Sequence, residues 1–263
     1  MVTIQNYVRA KSLEEAYELN QKKGNCILGG MLWTKMQNRM IQTAIDLCDL
    51  GLNEIEETEE EFSIGAMVSL RQLETDAGLN AYTQGAVRDA VKDIVGVQFR
   101  NLATVGGSVF GRFGFSDVLT LLLVMDSYVE LYKGGIVPLA DFVNMPYDRD
   151  ILVRVIVKKT AAHYSYKSVR ISKTDFPVLT CAAALTQEGV QAAVGARPAK
   201  AALVKDAEQL ATLPMTAEKA QAFAEYAAGL LPTETNPRGS AAYRTHLIKV
   251  LTARCLTELG GKA

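Results

Sequence analysis

The sequence predicts an α+β fold in which sheets and helices fall into successive units rather than alternating regularly. Three observations carry this reading. Short β-branched or apolar runs separated by glycine-rich or acidic turns recur through the first 158 or so residues; helix-capping signatures stand between them; and from about residue 160 the pattern shifts to a run of strands followed by alanine-rich helices. With 263 residues, 49% of them hydrophobic, the chain buries a substantial core and suits two units, expected at 1–158 (itself divided near residue 52) and 159–263.

Taken in order, Ser12-Leu13-Glu14-Glu15 is a capping box, Leu13, Ala16 and Tyr17 share a face, and Lys22-Lys23-Gly24 offers a basic last turn with a terminal glycine. Cys26–Leu28 reads as a strand running into Gly29-Gly30, and Ala44–Leu47 as another. The acidic NEIEETEEEF is the solvated turn of a hairpin whose second arm is Phe62–Ala66. Ala86, Ala90, Val91 and Ile94 recur at helical spacing, and Ser116-Asp117 caps a helix that turns Leu119, Leu122 and Leu123 inward. YVELYKGGIVPLADF is a hairpin turning at Lys133-Gly134-Gly135, and Ile151–Val157 is a β-branched strand. Strands at Tyr164–Val169, Val178–Leu185 and Val190–Val194 precede helices at 216–230 and 240–259, which Pro232 and Pro237 separate.

Charge narrows the function. The net charge is −1, with Lys and Arg dispersed along the chain, so neither nucleic acid nor an anionic membrane surface is an expected partner. The first residues lack the pattern of a signal peptide, and the longest apolar run, Val118–Met125, is too short to span a bilayer; a cytoplasmic protein is expected. Four dispersed cysteines and two histidines, with no C-x-x-C, cannot assemble a zinc or iron–sulfur site, so any metal cluster belongs to a partner. His163 and His246 lack the paired acid or nucleophile of a catalytic relay and read as structural or surface residues, and no triad or paired-carboxylate pattern points to hydrolysis.

Two glycine pairs remain, Gly29-Gly30 and Gly106-Gly107, each expected between regular elements. Neither belongs to G-x-G-x-x-G or to a phosphate loop of the G-x-x-x-x-G-K-[ST] type. A glycine pair lets consecutive backbone N–H groups converge on an anion, and it equally makes a tight turn or bulge.

ILGGMLW, VQFRNLATVGGSVFGRFGFSDVLTLLLVMDSYVEL, GGIVPLADF, ILVRVIV, YSYKSVRISKTDFPVLTCAAAL and RGSAAYRTHLIKVLTARCL occur in that order. Together they resemble the FAD-binding subunits of the xanthine dehydrogenase family of molybdenum hydroxylases, which includes the carbon monoxide dehydrogenase flavoproteins. The resemblance spans nearly the whole chain; its most specific parts are A-T-V-G-G, followed at a fixed distance by Ser-Asp, and R-G-S-x-A-Y-R. It implies a fold similar to vanillyl-alcohol oxidase, with FAD between two small α+β subdomains and a flavoprotein C-terminal domain behind them. It also implies that both glycine loops, Leu28, Gly29, Gly30, Met31, Leu32 and Trp33 in the first and Thr104, Gly106, Gly107 and Ser108 in the second, wrap the FAD diphosphate with backbone N–H groups.

Other positions carry over singly. Asp117 resembles an aspartate that accepts a hydrogen bond from FAD hydroxyls, though it also reads as a helix cap. Lys167 resembles a lysine near the flavin ring, and is otherwise an exposed strand lysine. Leu152, Ile94, Val95 and Phe110 fall where the family has cofactor contacts, with core packing as the alternative for each. The chain departs from the family's G-G-T-D-L at Gly30-Met31-Leu32-Trp33, and from its asparagine after the second glycine pair at Ser108. The resemblance implies an electron-transfer subunit served by a [2Fe-2S] partner and a molybdopterin partner, delivering electrons through FAD to NAD+ or another acceptor; a stand-alone FAD oxidoreductase and an FAD-free scaffold are the rival expectations.

Overall fold

The computed structural model describes residues 1–261; the last two residues of the expected C-terminal unit lie outside the described residues. Among the described residues, twelve strands form three sheets. The first holds β1 (Thr3–Arg9), β2 (Cys26–Leu28) and β3 (Met40–Asp46) in the order β1-β3-β2, all parallel, with α1 (Leu13–Asn20) crossing between β1 and β2. Ser12 caps α1 by accepting from the Glu15 N–H, and the Glu15 carboxylate accepts from the Lys11 N–H, so the box closes one residue early.

β4 (Ile55–Glu57) and β5 (Glu61–Gly65) are the arms of the acidic hairpin. Six short helices follow: α2 (Leu70–Thr75), α3 (Ala77–Tyr82), α4 (Ala86–Val91), α5 (Val97–Arg100), α6 (Val105–Phe110) and α7 (Asp117–Leu122). Then come β6 (Ser127–Leu131), β7 (Gly135–Pro138), α8 (Leu139–Phe142) and β8 (Leu152–Lys158), completing an antiparallel sheet of order β4-β5-β8-β6-β7. The third sheet runs β12-β11-β10-β9, from β9 (Ala162–Arg170), β10 (Pro177–Thr186), β11 (Gly189–Gly195) and β12 (Ala202–Lys205); α9 (Ala217–Leu230) and α10 (Ala241–Gly260) close the chain.

The largest core cluster crosses from the second sheet to the third. Val155 and Val157 of β8, the leucines of α7, and Tyr164, Tyr166, Ala182, Ala184 and Ala193 belong to one buried set. The other face of the third sheet packs Cys181, Ala183, Leu185 and Val194 against Phe223, Ile248, Leu251 and Leu256 of α9 and α10. β10 is therefore covered on both faces, and its alanines let helices approach from either side.

The second glycine pair does not lie between elements as expected. Gly106 and Gly107 form the first turn of α6, because the Thr104 hydroxyl caps that helix by accepting from the Gly107 N–H at 3.1 Å. Neither pair adopts a positive φ.

Candidate functional site: a glycine-walled cavity between the sheets

A cavity of about 390 Å³, within the roughly 300–1,000 Å³ usual for small-molecule sites, opens where the first sheet, the helical segment and the third sheet meet. The first glycine pair packs against residues 102–104, which lead directly into the second. A Cβ on Gly30 would stand 1.8 Å from the Leu102 carbonyl oxygen, one on Gly29 2.9 Å from the Thr104 hydroxyl, and one on Gly106 2.7 Å from the Ala66 carbonyl oxygen. Glycine is thus required for close backbone approach rather than for a left-handed turn.

The two loops differ in what they offer. In the second, Val105 N–H donates to the Val68 carbonyl, Gly106 N–H to that of Ala66, Gly107 N–H to the Thr104 hydroxyl and Ser108 N–H to the Thr104 carbonyl. Its donors are spent on the fold. In the first, the N–H groups of Gly30, Met31, Leu32 and Trp33 make no hydrogen bond among the described residues. Met31 is left-handed at φ 58° and Trp33 right-handed at φ −88°, and this loop of free donors lines the cavity as a candidate anion nest.

Beside the nest, Asp117 opens α7 at 4% exposure. Its Oδ1 accepts from the Tyr166 hydroxyl at 2.5 Å and from Arg170 Nη2 in a buried ion pair. Burial outweighs both partners and pushes the Asp117 carboxyl up to about 6. Arg170 Nη1 donates to the Asp175 carbonyl at 2.6 Å, while its Nε is buried beside the cavity with no hydrogen bond among the described residues. An aromatic wall closes the other side: Trp33 lies 5.5 Å from Phe176, and Phe115 meets Phe176 edge-on at 4.8 Å.

A family model described as "FAD binding domain in molybdopterin dehydrogenase" matches residues 2–159. The chain belongs to that family. The CO dehydrogenase flavoprotein C-terminal domain matches residues 164–259. The uncharacterized protein YgfM of Escherichia coli K12 is 29% identical over 95% of this chain and 94% of its own length. The putative xanthine dehydrogenase FAD-binding subunit XdhB of the same organism is 25% identical over 100% and 99%. A carbon monoxide dehydrogenase structure from Hydrogenophaga pseudoflava shares the fold, with a TM-score of 0.90 and 21% identity over 100% of this chain and 99% of that one.

The residues present fit the family's FAD. The nest supplies unspent donors for a diphosphate, the glycines leave the room a Cβ would fill, and Arg170 Nε is an orphan donor beside the cavity.

Among the expected site residues, Gly29, Gly30, Met31, Leu32, Trp33, Ile94, Val95, Thr104, Gly107, Ser108 and Asp117 line the cavity. Leu28 is buried with Ile41 and Ala44; Gly106 and Leu152 are buried behind the wall; Phe110 packs 6.1 Å from Phe142. Lys167 does not reach the cavity. It follows Tyr166 on β9 and so faces the opposite side of the sheet, where its ammonium donates to Glu258 of α10 at 2.6 Å. The residue on the cavity side is Arg170, which sequence reasoning passed over. The two-residue period from Tyr166 through Ser168 to Arg170 was the available signal.

Proposed function

We propose that this chain is the electron-transfer flavoprotein subunit of a molybdenum hydroxylase complex, taking electrons from a [2Fe-2S] partner and passing them on, with NAD+ as acceptor. The observation that carries the reading is the run of four unspent N–H donors at Gly30–Trp33, packed against the Leu102–Thr104 backbone and flanked by Asp117.

FAD, when bound, supplies the exchange between single-electron and hydride transfer. The chain's residues do the rest. The free N–H groups of Gly30–Trp33 would hold the diphosphate with backbone dipoles, which need no lysine or arginine. Asp117 holds one oxygen on Tyr166 and Arg170, and its carboxylate would accept from a cofactor hydroxyl. Arg170 fixes that carboxylate's orientation, and the rings of Trp33, Phe115 and Phe176 give the cavity one apolar side. The cysteines needed to ligate clusters are dispersed along the sequence, which supports assigning the single-electron carriers and the organic-substrate site to other subunits.

The test is reconstitution of the purified chain. The expected result is about one FAD per chain, much weaker FMN binding, NADH oxidation with an artificial dye, and no oxidation of purines or aldehydes until iron–sulfur and molybdopterin subunits are added. Comparable FMN and FAD affinities, or purine oxidation by the chain alone, would overturn the proposal.

A further inference from the structure

A second cavity of about 440 Å³ lies behind the aromatic wall and shares Phe113, Phe115, Phe176 and Pro177 with the first. Its lining carries four cations, Arg112, Lys200, Arg238 and Arg244, and no carboxylate among the described residues.

Arg112 is the unusual one. Its side chain is 2% exposed, yet Nε, Nη1 and Nη2 make no hydrogen bond among the described residues. The rings of Phe142, Tyr147 and Phe110 stand 3.9, 4.7 and 5.5 Å from its guanidinium carbon. Rings satisfy the faces of a guanidinium; its five N–H groups point outward in the plane and require acceptors. The backbone at Arg112 is left-handed at φ 45°, a conformation costly for a residue with a Cβ, so the fold pays to hold this side chain where it is. Burial lowers the affinity of Arg112 for its proton, and nearby Tyr147 and Asp148 oppose that shift without cancelling it.

The other cations divide by role. Arg244 is spent: it donates to the carbonyls of Val178, Glu234 and Gly239 and to Asn236 Oδ1. Lys200 Nζ donates once, to the Val143 carbonyl at 2.8 Å, and the Arg238 guanidinium lies 4.8 Å from the centre of the Phe176 ring. Both side chains belong to exposed residues and retain free donors at the rim.

The geometry points to a phosphate-binding site centred on Arg112, with Lys200 and Arg238 at its mouth. A planar guanidinium with unspent edges matches two oxygens of a phosphate group, and the stacked Phe113 and Phe115, 5.2 Å apart, offer a face for a base. The ligand is either a nucleotide or free phosphate. The site's position beside the flavin rests on the function proposed above; the anion site itself does not.

Isothermal titration of the full chain, with its flavin content measured separately, tests this with inorganic phosphate and with ADP. Binding of both, with ADP tighter by tenfold or more, identifies a nucleotide ligand; equal affinity for the two identifies free phosphate as the natural anion. Arg112→Met is expected to weaken binding roughly ten- to a hundredfold with flavin stoichiometry unchanged. Because Arg112→Met removes a buried side chain, the exposed pair Lys200→Ala/Arg238→Ala provides a second reading, expected to lose severalfold. A chain without flavin that still binds phosphate through Arg112 retains this site while refuting the flavoprotein reading. No heat with either ligand at millimolar concentration, loss of phosphate binding on FAD loading, or indifference to both sets of substitutions would overturn the proposal.

Discussion

Replacing Gly30 by alanine tests whether the two glycine loops form one cofactor site. The added Cβ would stand 1.8 Å from the Leu102 carbonyl oxygen and 2.5 Å from its carbon, both backbone atoms that no rotamer change can move. The loops must part by more than 1 Å to reach even the shortest contacts of about 3 Å that side chains show. Overpacking of that kind costs roughly 1–3 kcal/mol, equivalent to a fall in melting temperature of about 2–4 °C for each kcal/mol in a chain of this size. The same displacement carries the donors of Gly30–Trp33 away from Asp117, so FAD affinity is expected to fall at least tenfold. Gly107→Ala is the control. Its Cβ meets only the Thr104 hydroxyl, at 3.2 Å, and the residue has helical backbone, where alanine gains about 0.5–1 kcal/mol over glycine. That variant should melt no lower than wild type yet bind FAD more weakly, because its methyl group enters the cavity wall. Thermal unfolding by circular dichroism and flavin absorbance after desalting read the two effects separately. A Gly30→Ala chain with unchanged melting temperature and full FAD content would refute the apposition of the loops.

Three further outcomes are expected. The Asp117 carboxyl titrates near 6 in the folded chain, against 3.8 as its ordinary value, so the folded state binds the extra proton between these limits and the contribution of Asp117 to stability falls as pH rises through that window. A cofactor hydroxyl that donates to the charged carboxylate reverses the preference: FAD affinity should be full above about pH 6 and decline below it, by up to tenfold per pH unit, and Asp117→Asn should flatten that profile in a fluorescence titration. Arg100 grips Glu74 through Nε and Nη2 at 2.8 and 3.1 Å and the Ile94 carbonyl through Nη1, so Arg100→Met should cost about 3 kcal/mol in urea unfolding; the value falls at the lower end for a buried pair because Arg71 still lies 3.0 Å from Glu74. Lys167→Ala should leave FAD affinity within twofold of wild type, since that ammonium is on the α10 side of the third sheet; a tenfold loss would place it at the cofactor after all.

Much of the architecture was legible because local physics imposes it. Ser12 and Ser116 cap the helices they precede, Lys133 and Gly134 turn a hairpin, and the β-branched run near Ile151 pairs as β8. β1 escaped notice because six of its seven residues are exposed, leaving no apolar alternation to read; its place is set by hydrogen bonding to β3, more than thirty residues away. α2 and α3 are six residues each, under two turns, too short for a periodic signal.

The site divides along the same line. From the sequence came the expectation, carried by the resemblance of blocks that keep their order, that two glycine pairs and Asp117 serve one cofactor site. Only the tertiary structure decided which donors are free. The Gly106 and Gly107 N–H groups are consumed by Ala66 and Thr104, partners brought to them by folding, whereas those of Gly30–Trp33 have no partner among the described residues. Nor does spacing along the chain say which face of β9 meets the cavity: the alternation of a strand makes neighbours opposites, and packing against α7 on one side and α10 on the other gave that face to Arg170 instead of Lys167.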